Sequence, residues 1–296
     1  MMRVGFIGLG FMGHGMADNI LKHGFPLTVM AHRKREAVDA LVPKGAVEVK
    51  TPGEMARQCD VILLCVSGAP EVETNVNAIA SAGQSLIVVD CTTSNPATLL
   101  RLAQEHPGLT FVDSPLGRSP KEAWAGNLAV MVGGDGSVVE RIRPVLATFA
   151  SSIQHVGGLG DGHRLKLVNN LVSMGFAALY AEALVLANKV GLSTEAFDGL
   201  VRSSRMHCAF YDTFMGWALE GNKDSHPFAL ANADHTIADV DALVRDAGMK
   251  APLAAALREA YAAAIAAGYG PAMLPELPRF IAEVNGLALD PVRKPD

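Results

Sequence analysis

The sequence predicts an α/β fold in which a doubly wound parallel sheet is followed by an all-helical domain. From Arg3 to about Val156, short β-rich runs alternate with helical runs, as a parallel sheet covered on both faces requires. After the glycine-rich stretch at 157–163, strand signals stop and helical periodicity continues almost to the end. We therefore predict two domains, a sheet domain over residues 1–160 and an all-helical domain over residues 161–296.

The elements follow in order from these two patterns. Runs rich in valine, isoleucine and leucine predict strands at 4–7, 27–31, 47–49, 61–66, 86–90, 110–113, 128–133 and 152–156. Helical runs between them predict helices at 12–23, 71–81, 96–106 and 138–149. In the second domain, helices are predicted at 162–190, 194–203, 209–220, 229–247, 253–267 and 275–285. Glycines fall where C-terminal helix caps belong, at Gly191, Gly221, Gly248 and Gly268.

Composition and cysteine spacing argue against nucleic acid and metal ions as partners of this chain. The 296 residues carry a formal net charge of −5, which argues against nucleic acid, because phosphate backbones require clustered lysine and arginine. The four cysteines form no Cys-x-x-Cys pair, and no zinc-site spacing is present. The first strand begins almost at the N-terminus, which leaves no room for an export signal. We expect a cytoplasmic protein with reduced thiols and no metal site.

The apolar segment from Leu165 to Leu192 exceeds the ~20 residues that cross a bilayer. Polar residues interrupt it at Asn169, Asn170, Ser173, Glu182 and Asn188, so we expect no membrane span. A helix this apolar on all sides is better explained as the central buried helix of a domain or of a dimer interface.

The run RVGFIGLGFMG at 3–13 predicts a dinucleotide phosphate site. An apolar strand leads into a G-x-G-x-x-G motif of Gly8, Gly10 and Gly13, and a helix begins near Met12. The first glycine of such a motif makes the tight turn, the second lets the backbone approach the pyrophosphate, and the third allows the helix to pack closely on the strand. With Phe11 and Met12 between them, these residues predict an NAD(P)-binding Rossmann domain whose helix N-terminus faces the phosphates.

The end of the second predicted strand favours NADP over NAD. An acidic residue that would hold the ribose 2′-hydroxyl of NAD is expected about 20 residues beyond the glycines. This strand is followed by His32, Arg33 and Lys34 instead. Arg33 can stack on adenine and pair with a 2′-phosphate, while the alternative is a solvated basic turn. We predict that His32 and Arg33 contact the coenzyme.

A polar stripe begins the long apolar helix. Lys166, Asn169, Asn170 and Ser173 stand at i, i+3, i+4 and i+7, which is one face of a helix. A solvent-exposed stripe would carry several charges, yet Lys166 is the only charge from 166 to 181. A lysine and two amides on an otherwise apolar helix need partners, so we interpret this stripe as one wall of an active site.

Together these motifs resemble the β-hydroxyacid dehydrogenase family, which includes 3-hydroxyisobutyrate dehydrogenase and tartronate semialdehyde (2-hydroxy-3-oxopropionate) reductase. The resemblance runs nearly end to end. GLGFMGHGMADN at 8–19 is similar to the family's cofactor motif, and DCTTSNP at 90–96 to its Asp-x-Ser-Thr-x-x-Pro loop. GDGHRLKLVNN at 160–170 is similar to its catalytic helix, and DSPLGRSPKEAWAGNLAVMVGG at 113–134 to its substrate loop.

The resemblance implies roles for single residues. Lys166 matches the family's catalytic lysine, and Asn170 would hold the substrate beside it. Thr93 would contact the nicotinamide side of the cofactor, and Ser67 would line the dinucleotide path. For Thr93 and Ser67, ordinary turn chemistry at strand ends is the alternative. Members of the family assemble as dimers or tetramers, so a homodimer or homotetramer is expected.

Two departures from the family pattern concern specificity. Gly117, Arg118 and Ser119 stand where the family usually has Ser-Gly-Gly, and members resembling sulfolactaldehyde reductase carry a similar Gly-Arg-Ser/Thr. A guanidinium suits a carboxylate, sulfonate or phosphate, so we expect these three residues to bind an anionic end of the substrate, the alternative being an ion pair of Arg118 with Glu122. His235 stands where the family has a lysine near the nicotinamide, and its charge would vary around neutral pH.

The sequence therefore predicts an NAD(P)-dependent oxidoreductase, NADP preferred, in which Lys166 is the general acid/base. The expected substrate is a small anionic β-hydroxyacid or aldehyde-acid of the 3-hydroxyisobutyrate or tartronate semialdehyde type, with sulfolactaldehyde and succinic semialdehyde as further candidates. The alternatives are an imine-reductase-like enzyme and a non-catalytic NADP-binding interaction protein. A 6-phosphogluconate dehydrogenase is similar in its N-terminal half, but its larger helical domain would not fit in this chain.

Overall fold

The computed structural model describes residues 1–32 and 34–293 and divides the chain into two compact units. The sheet unit comprises Met1–Lys166 and the helical unit comprises Leu167–Asp296. The division falls inside one long helix, which begins in the sheet unit and continues through the helical unit.

The sheet unit is built on six parallel strands in the order β3-β2-β1-β4-β5-β6. Their bounds are Val4–Ile7 (β1), Leu27–Val29 (β2), Val47–Glu48 (β3), Val61–Leu64 (β4), Ile87–Asp90 (β5) and Thr110–Asp113 (β6). The strands at the centre of the sheet, β1, β4 and β5, are buried along their whole length, as expected where helices cover both faces of a parallel sheet. The predicted fold class is confirmed.

The sheet ends differently from the prediction, because its last strands do not extend the parallel order. The additional strands are Leu116–Gly117 (β7), Leu128–Gly133 (β8) and Ala150–Gly157 (β9). β8 runs antiparallel to both β6 and β7, and β9 is parallel to β8. Between β6 and β8 the chain turns back through β7 and one short helix, and it makes no crossover of the kind that a parallel neighbour would need. The two-residue strand β7 was not predicted, since it is too short to show a period.

Seven helices precede the long one in the described part of the sheet unit. Their bounds are Gly13–Lys22 (α1), Glu36–Leu41 (α2), Pro52–Ala56 (α3), Ala69–Ala80 (α4), Pro96–Glu105 (α5), Pro120–Trp124 (α6) and Gly136–Leu146 (α7). The four predicted helices, α1, α4, α5 and α7, are confirmed to within three residues at each end. The other three have five or six residues each, which is too few for a helical period, and side-chain caps mark two of their starts, at Thr51 and at Ser119 with Glu122.

Two apolar clusters lie on the two faces of this sheet. One contains Phe6, Leu63 and Val89 with Met16 and Ile20 of α1. The other contains apolar residues that alternate with those along the same strands, including Ile62, Leu64 and Val88, with side chains from α3, α4 and α5. Because adjacent residues of one strand supply opposite faces, the register of the sheet is fixed by burial on both sides.

The helical unit contains the rest of Asp161–Lys189 (α8) and, in its described residues, six further α-helices. They are Thr194–Arg202 (α9), Ala209–Phe214 (α10), Gly216–Glu220 (α11), Leu230–Asp246 (α12), Pro252–Ala266 (α13) and Leu277–Val284 (α14). The four glycines predicted as C-terminal caps all have positive φ, between 64° and 88°. The predicted helix at 209–220 is wrong as a single helix, because it breaks at Met215. The Ser225 hydroxyl donates to the Thr213 carbonyl, which an unbroken helix would offer to the Trp217 N–H.

α8 is apolar on two sides, only one of which is buried in this chain. Residues such as Met174, Ala177, Ala181 and Leu184 belong to the core of the helical unit. The opposite side, which we call the exposed α8 face, consists of Val168, Val172, Phe176, Leu179 and Leu186, each more than 40% exposed. By length and composition α8 could cross a membrane, and 44% of its most apolar 18-residue window is buried. The helix therefore serves as a core element and also presents an apolar surface.

Candidate active site

Several predicted site residues lie at one edge of the sheet. The last residues of β1, β4, β5 and β6, namely Ile7, Leu64, Asp90 and Asp113, are in register, so the loops that follow them begin side by side. These loops carry Gly8, Ser67, Thr93 and Ser114 respectively. In open α/β sheets, ligands bind in the crevice outside the carboxyl ends of the strands.

The glycine turn after β1 is crowded at Gly8 and Gly13 and open at Gly10. Gly8 has φ +101°, and a Cβ there would lie 2.1 Å from the Cys65 carbonyl oxygen. A Cβ on Gly13 would lie 1.9 Å from the Gly8 oxygen, whereas one on Gly10 would meet no atom within 4 Å. The turn thus packs tightly against β4 and α1, and its backbone at Gly10 is open to a ligand.

The start of α1 is suited to an anion. Met12 is its N-cap residue, no side chain caps it, and its first turn contains no acidic residue. Phe11 is 90% exposed beside it. A helix start without a side-chain cap, next to an open glycine backbone, fits the pyrophosphate of a dinucleotide.

Beyond β2, near the expected adenosine end of the coenzyme, some charged side chains are exposed and others form ion pairs. His32 and Lys34 are exposed, and Arg33 lies outside the described residues. Arg35 donates to both oxygens of Glu48, at 2.9 and 3.0 Å, and to Asp39 at 3.2 Å. The Arg35 guanidinium lowers the pKa of Glu48. Glu48, the acid on the neighbouring strand β3, is therefore already paired.

The first turn of α8 is bonded directly to the strand ends. The Asp113 carboxylate accepts the N–H groups of Gly160 and His163, both at 2.7 Å. A Cβ on Gly162 would lie 2.3 Å from the Met131 carbonyl oxygen, so this turn and β8 approach each other closely. The His163 ring is buried, with Nε2 3.7 Å from Oδ2 of Asp90. These contacts hold the start of α8 at the carboxyl edge of the sheet.

Lys166 follows one turn later and is the last residue of the sheet unit. Its side chain is half-buried, and burial lowers its pKa to about 8. It forms no ion pair with an acid in the described part of the chain. Desolvation disfavours the ammonium form, so Lys166 can both donate and accept a proton near neutral pH.

The other residues of the predicted stripe belong to the helical unit. Asn170, one turn beyond Lys166 on α8, is buried, while Asn169 is exposed. His235 is exposed on α12. The two amides therefore differ in exposure, and Asn170 is the one that, like Lys166, is shielded from solvent.

The predicted substrate loop is held by contacts that the sequence did not indicate. Arg118 has φ +77°, a left-handed conformation that costs a residue with a side chain of the order of 1 kcal/mol or more. Its guanidinium donates to the carbonyl oxygen and Oδ1 of Asn127, at 2.5 and 2.7 Å, and to the Ser151 hydroxyl at 3.3 Å. The alternative ion pair with Glu122 is wrong, because Glu122 accepts from the Ser119 hydroxyl and N–H. Gly117, at the end of β7, precedes this strained residue.

Sequence reasoning missed the buried polar residues behind these loops, namely Asp90, Asp113 and His163. Burial raises the pKa of both carboxyl groups, and the facing His163 opposes that shift. The signal in the sequence was an aspartate at the last position of each of two mostly apolar strands. An acid in that place is costly to bury unless it has bonding partners.

Comparisons with known proteins agree with this arrangement. A family model described as the NAD binding domain of 6-phosphogluconate dehydrogenase matches residues 3–157. A second, described as NAD-binding of NADP-dependent 3-hydroxyisobutyrate dehydrogenase, matches residues 160–275. The chain is 33% identical to 3-sulfolactaldehyde reductase of Escherichia coli K12 over 91% of this chain and 92% of that protein. It is 37% identical to 2-(hydroxymethyl)glutarate dehydrogenase of Eubacterium barkeri over 69% of each.

Solved structures show the same fold. A Mycobacterium tuberculosis 3-hydroxyisobutyrate dehydrogenase with L-serine has a TM-score of 0.82 and 25% identity, covering 95% of this chain and 99% of that one. An imine reductase from Pseudomonas sp. has a TM-score of 0.60 and 20% identity, covering 93% and 98%. The imine reductase is thus more distant, and at that identity it is similar in fold alone.

Two glycine variants test the coenzyme cradle. We expect Gly10→Ala to weaken NADPH binding at least about tenfold with little change in stability. Its methyl group would meet no protein atom but would occupy the space through which the coenzyme approaches the backbone at Gly10. Gly13→Ala should instead lower the free energy of unfolding by roughly 1–3 kcal/mol, because its methyl group would meet the Gly8 oxygen. NADPH fluorescence titration and thermal unfolding separate the two effects.

Gly108→Ala is the matched control, since Gly108 precedes β6 at the opposite edge of the sheet and a Cβ there meets nothing within 4 Å. Its binding and stability should equal those of the wild type. Unchanged NADPH affinity in Gly10→Ala would place the coenzyme elsewhere.

Proposed function

This chain belongs to the β-hydroxyacid dehydrogenase family of NAD(P)-dependent oxidoreductases, and from that premise we propose that it interconverts a small anionic aldehyde-acid and the corresponding hydroxyacid, with Lys166 as the general acid/base. The observation that carries this proposal is a half-buried lysine with a pKa near 8, held one turn beyond a helix start that is bonded to the strand ends.

The glycine turn and the start of α1 fit the pyrophosphate, and Ser67 and Thr93 follow the neighbouring strands at the same edge. The nicotinamide, when bound, supplies or accepts the hydride. In reduction, the Lys166 ammonium donates a hydrogen bond to the carbonyl oxygen and then its proton. In oxidation, the neutral amine accepts the hydroxyl proton. A pKa near 8 makes both forms available at neutral pH, with the ammonium in excess.

NADP is the coenzyme that the local charges favour. His32, Arg33 and Lys34 follow β2 without an acid among them, and Glu48 is paired with Arg35. A free acid would repel a 2′-phosphate and accept a hydrogen bond from a ribose hydroxyl. Basic side chains instead attract a 2′-phosphate.

Arg118 supports an anionic substrate. Its three bonding partners are neutral oxygens, so its positive charge stays uncompensated by any acid in the described residues. The relatives named for 3-sulfolactaldehyde and 2-(hydroxymethyl)glutarate have substrates that join an anion to an aldehyde or a hydroxymethyl group. We therefore propose carboxylates and sulfonates with a nearby aldehyde as the substrate class. The family resemblance adds Asn170 as a proposed ligand of the substrate and His235 as a proposed contact of the coenzyme.

A second copy of this chain is the partner that the exposed α8 face favours. Five large apolar residues along one helix face are more than isolated surface residues, and self-complementary apolar faces are typical of two-fold dimers. A homodimer, or a homotetramer built from two such dimers, would bury this face. We propose a cytoplasmic enzyme without a nucleic-acid or membrane partner.

A panel of aldehyde-acids tests the reaction. Purified protein should oxidise NADPH with at least one of tartronate semialdehyde, methylmalonate semialdehyde, succinic semialdehyde, sulfolactaldehyde and glyoxylate, and it should do so more efficiently than with NADH. Turnover of cyclic imines instead would favour the imine-reductase alternative. NADPH binding without turnover of any compound would favour a non-catalytic protein.

Lys166→Met should lower kcat by about a hundredfold to ten-thousandfold and leave NADPH affinity unchanged within about threefold, since the variant loses the proton donor but keeps the cradle. Lys189→Met, on the last turn of the same helix, is the control and should keep full activity, because among the described residues its Nζ donates to the Asn285 carbonyl alone. Retained turnover in Lys166→Met would remove the lysine from the mechanism.

Arg118→Gly should raise KM for the anionic substrate at least about tenfold while keeping the fold, because glycine adopts φ +77° without strain. Arg143→Gln is the control, since Arg143 is paired with Glu140 on α7 and should not affect KM. An unchanged KM in Arg118→Gly would show that the guanidinium serves only to hold Asn127 and Ser151.

A further inference from the structure

The short helix α6, which follows Arg118 in the proposed substrate loop, is bonded at its end to α1. The Asn19 side chain of α1 is 7% exposed, and its Nδ2 donates to the carbonyl oxygens of Ala123 and Trp124, at 2.8 and 3.2 Å. These two residues end α6, and the last carbonyls of any helix have no partner inside the helix. An amide 104 residues before Ala123 in the sequence therefore caps this helix.

The two helices also pack closely. A Cβ on Gly15, one turn before Asn19, would lie 2.8 Å from the Trp124 nitrogen, and Nδ2 of Asn19 also donates to the Gly15 carbonyl at 2.9 Å. The rings of His14 and Trp124 meet edge to face, with their centroids 4.6 Å apart. Glycine at position 15 thus lets the α6 backbone approach α1, and the amide at position 19 supplies the donor that the α6 carbonyls need.

Arg118 lies between two elements that are themselves held in place. Before it, β7 pairs with β8. After it, α6 is capped at its start by Ser119 with Glu122 and at its end by Asn19. Because α6 has five residues, it is too short to be stable without such contacts. A residue with a side chain persists at φ +77° where its surroundings hold it there, and α6 is one of the two elements adjoining Arg118.

We propose that Asn19 is a positioning residue for the substrate anion: by bonding the end of α6 to α1, it holds Arg118 in the conformation in which its guanidinium reaches Asn127. This inference rests on the proposed role of Arg118 in binding the anion. The same bonds connect the anion site to the coenzyme site, because the start of α1 is where we expect the pyrophosphate. Hydride transfer requires both ligands in a fixed relative position, which the bonds between α1 and α6 help to maintain.

Asn19→Leu tests this role, because leucine has a similar branched shape and no hydrogen-bond donor. With an aldehyde-acid that the wild type reduces, KM should rise at least about fivefold, while kcat and the Kd of NADPH stay within about threefold. Asn75→Leu is the matched control. Asn75 donates to the Glu71 carbonyl at 2.7 Å, the same i−4 bond that Asn19 makes to Gly15, but it lies on α4, and its loss should leave KM unchanged.

A second substitution establishes whether the effect acts through the guanidinium. In an Arg118→Gly background, Asn19→Leu should raise KM no further, because the side chain that it positions is already absent. A general loosening of the fold would raise KM in both backgrounds. An equal rise in the Arg118→Gly background, or an unchanged KM in folded Asn19→Leu, overturns the inference.

Phenylglyoxal modification of arginine gives a reading without turnover. In Asn19→Leu, Arg118 should react at least about threefold faster than in the wild type, measured by mass spectrometry relative to Arg143 on α7, because its guanidinium is held less often at Asn127. If this rate rises but no aldehyde-acid is reduced, the positioning role holds and the proposed reaction is wrong. If turnover depends on Lys166 but neither KM nor this rate changes, the proposed function stands and the positioning role is wrong.

Gly15→Ala is a second variant that keeps the Asn19 amide and separates the helices by another route. Its methyl group would force the α6 backbone away from α1, so KM should rise at least about threefold with unchanged NADPH affinity, again without effect in the Arg118→Gly background. Thermal unfolding establishes which variants are folded. An unchanged KM in folded Gly15→Ala contradicts the inference even where Asn19→Leu does not fold.

Discussion

The site depends on one interaction, the Asp113 carboxylate bridging the backbone N–H groups of Gly160 and His163. The four N–H groups at the start of any helix have no partner inside the helix, and here a strand end supplies an acceptor for two N–H groups of this turn. The helix that carries Lys166 is thereby fixed to the edge at which β1, β4 and β5 deliver the glycine turn, Ser67 and Thr93. A side chain on a rigid element, positioned by backbone bonds, needs no further loop to place it.

This arrangement is costly to build. Burial raises the pKa of Asp90 and Asp113, which means that the ionised forms are penalised relative to water. The two short N–H bonds offset the penalty at Asp113, whereas Asp90 accepts the Thr92 N–H on one oxygen and has the more distant His163 ring near the other. Close packing also requires glycine at 133 and 162, where a Cβ would lie within 3 Å of Asp113 oxygens. Local features that lower the stability of the fold in this way are typical of functional sites, which need a defined electrostatic environment.

Periodicity and motif spacing predicted the fold class, the long helix and the glycine turn, because these depend on patterns local to the chain. The same reasoning missed α2, α3 and α6, whose five or six residues show no period, and it assigned the wrong direction to β8. Strand direction is set by how the chain returns from β6, which no local pattern encodes. The contacts of Arg118 were unpredictable for a similar reason, since Asn127 and Ser151 lie 9 and 33 residues away in sequence. Sequence identified the residues that bear charge, and the structure identified their partners.

Partners decide what those charges can do in a protein of net charge −5 that would bind a dinucleotide and an anionic acid. Arg35, Arg143 and Arg164 each lie against a carboxylate, so their charges are compensated within the protein. Arg118 bonds neutral oxygens, and among the described residues no acid pairs with Lys166. An uncompensated cation attracts an anion without first breaking an ion pair. In the proposed function, the cations that can bind an anionic substrate are thus those that the fold leaves unpaired, and the total charge does not determine which they are.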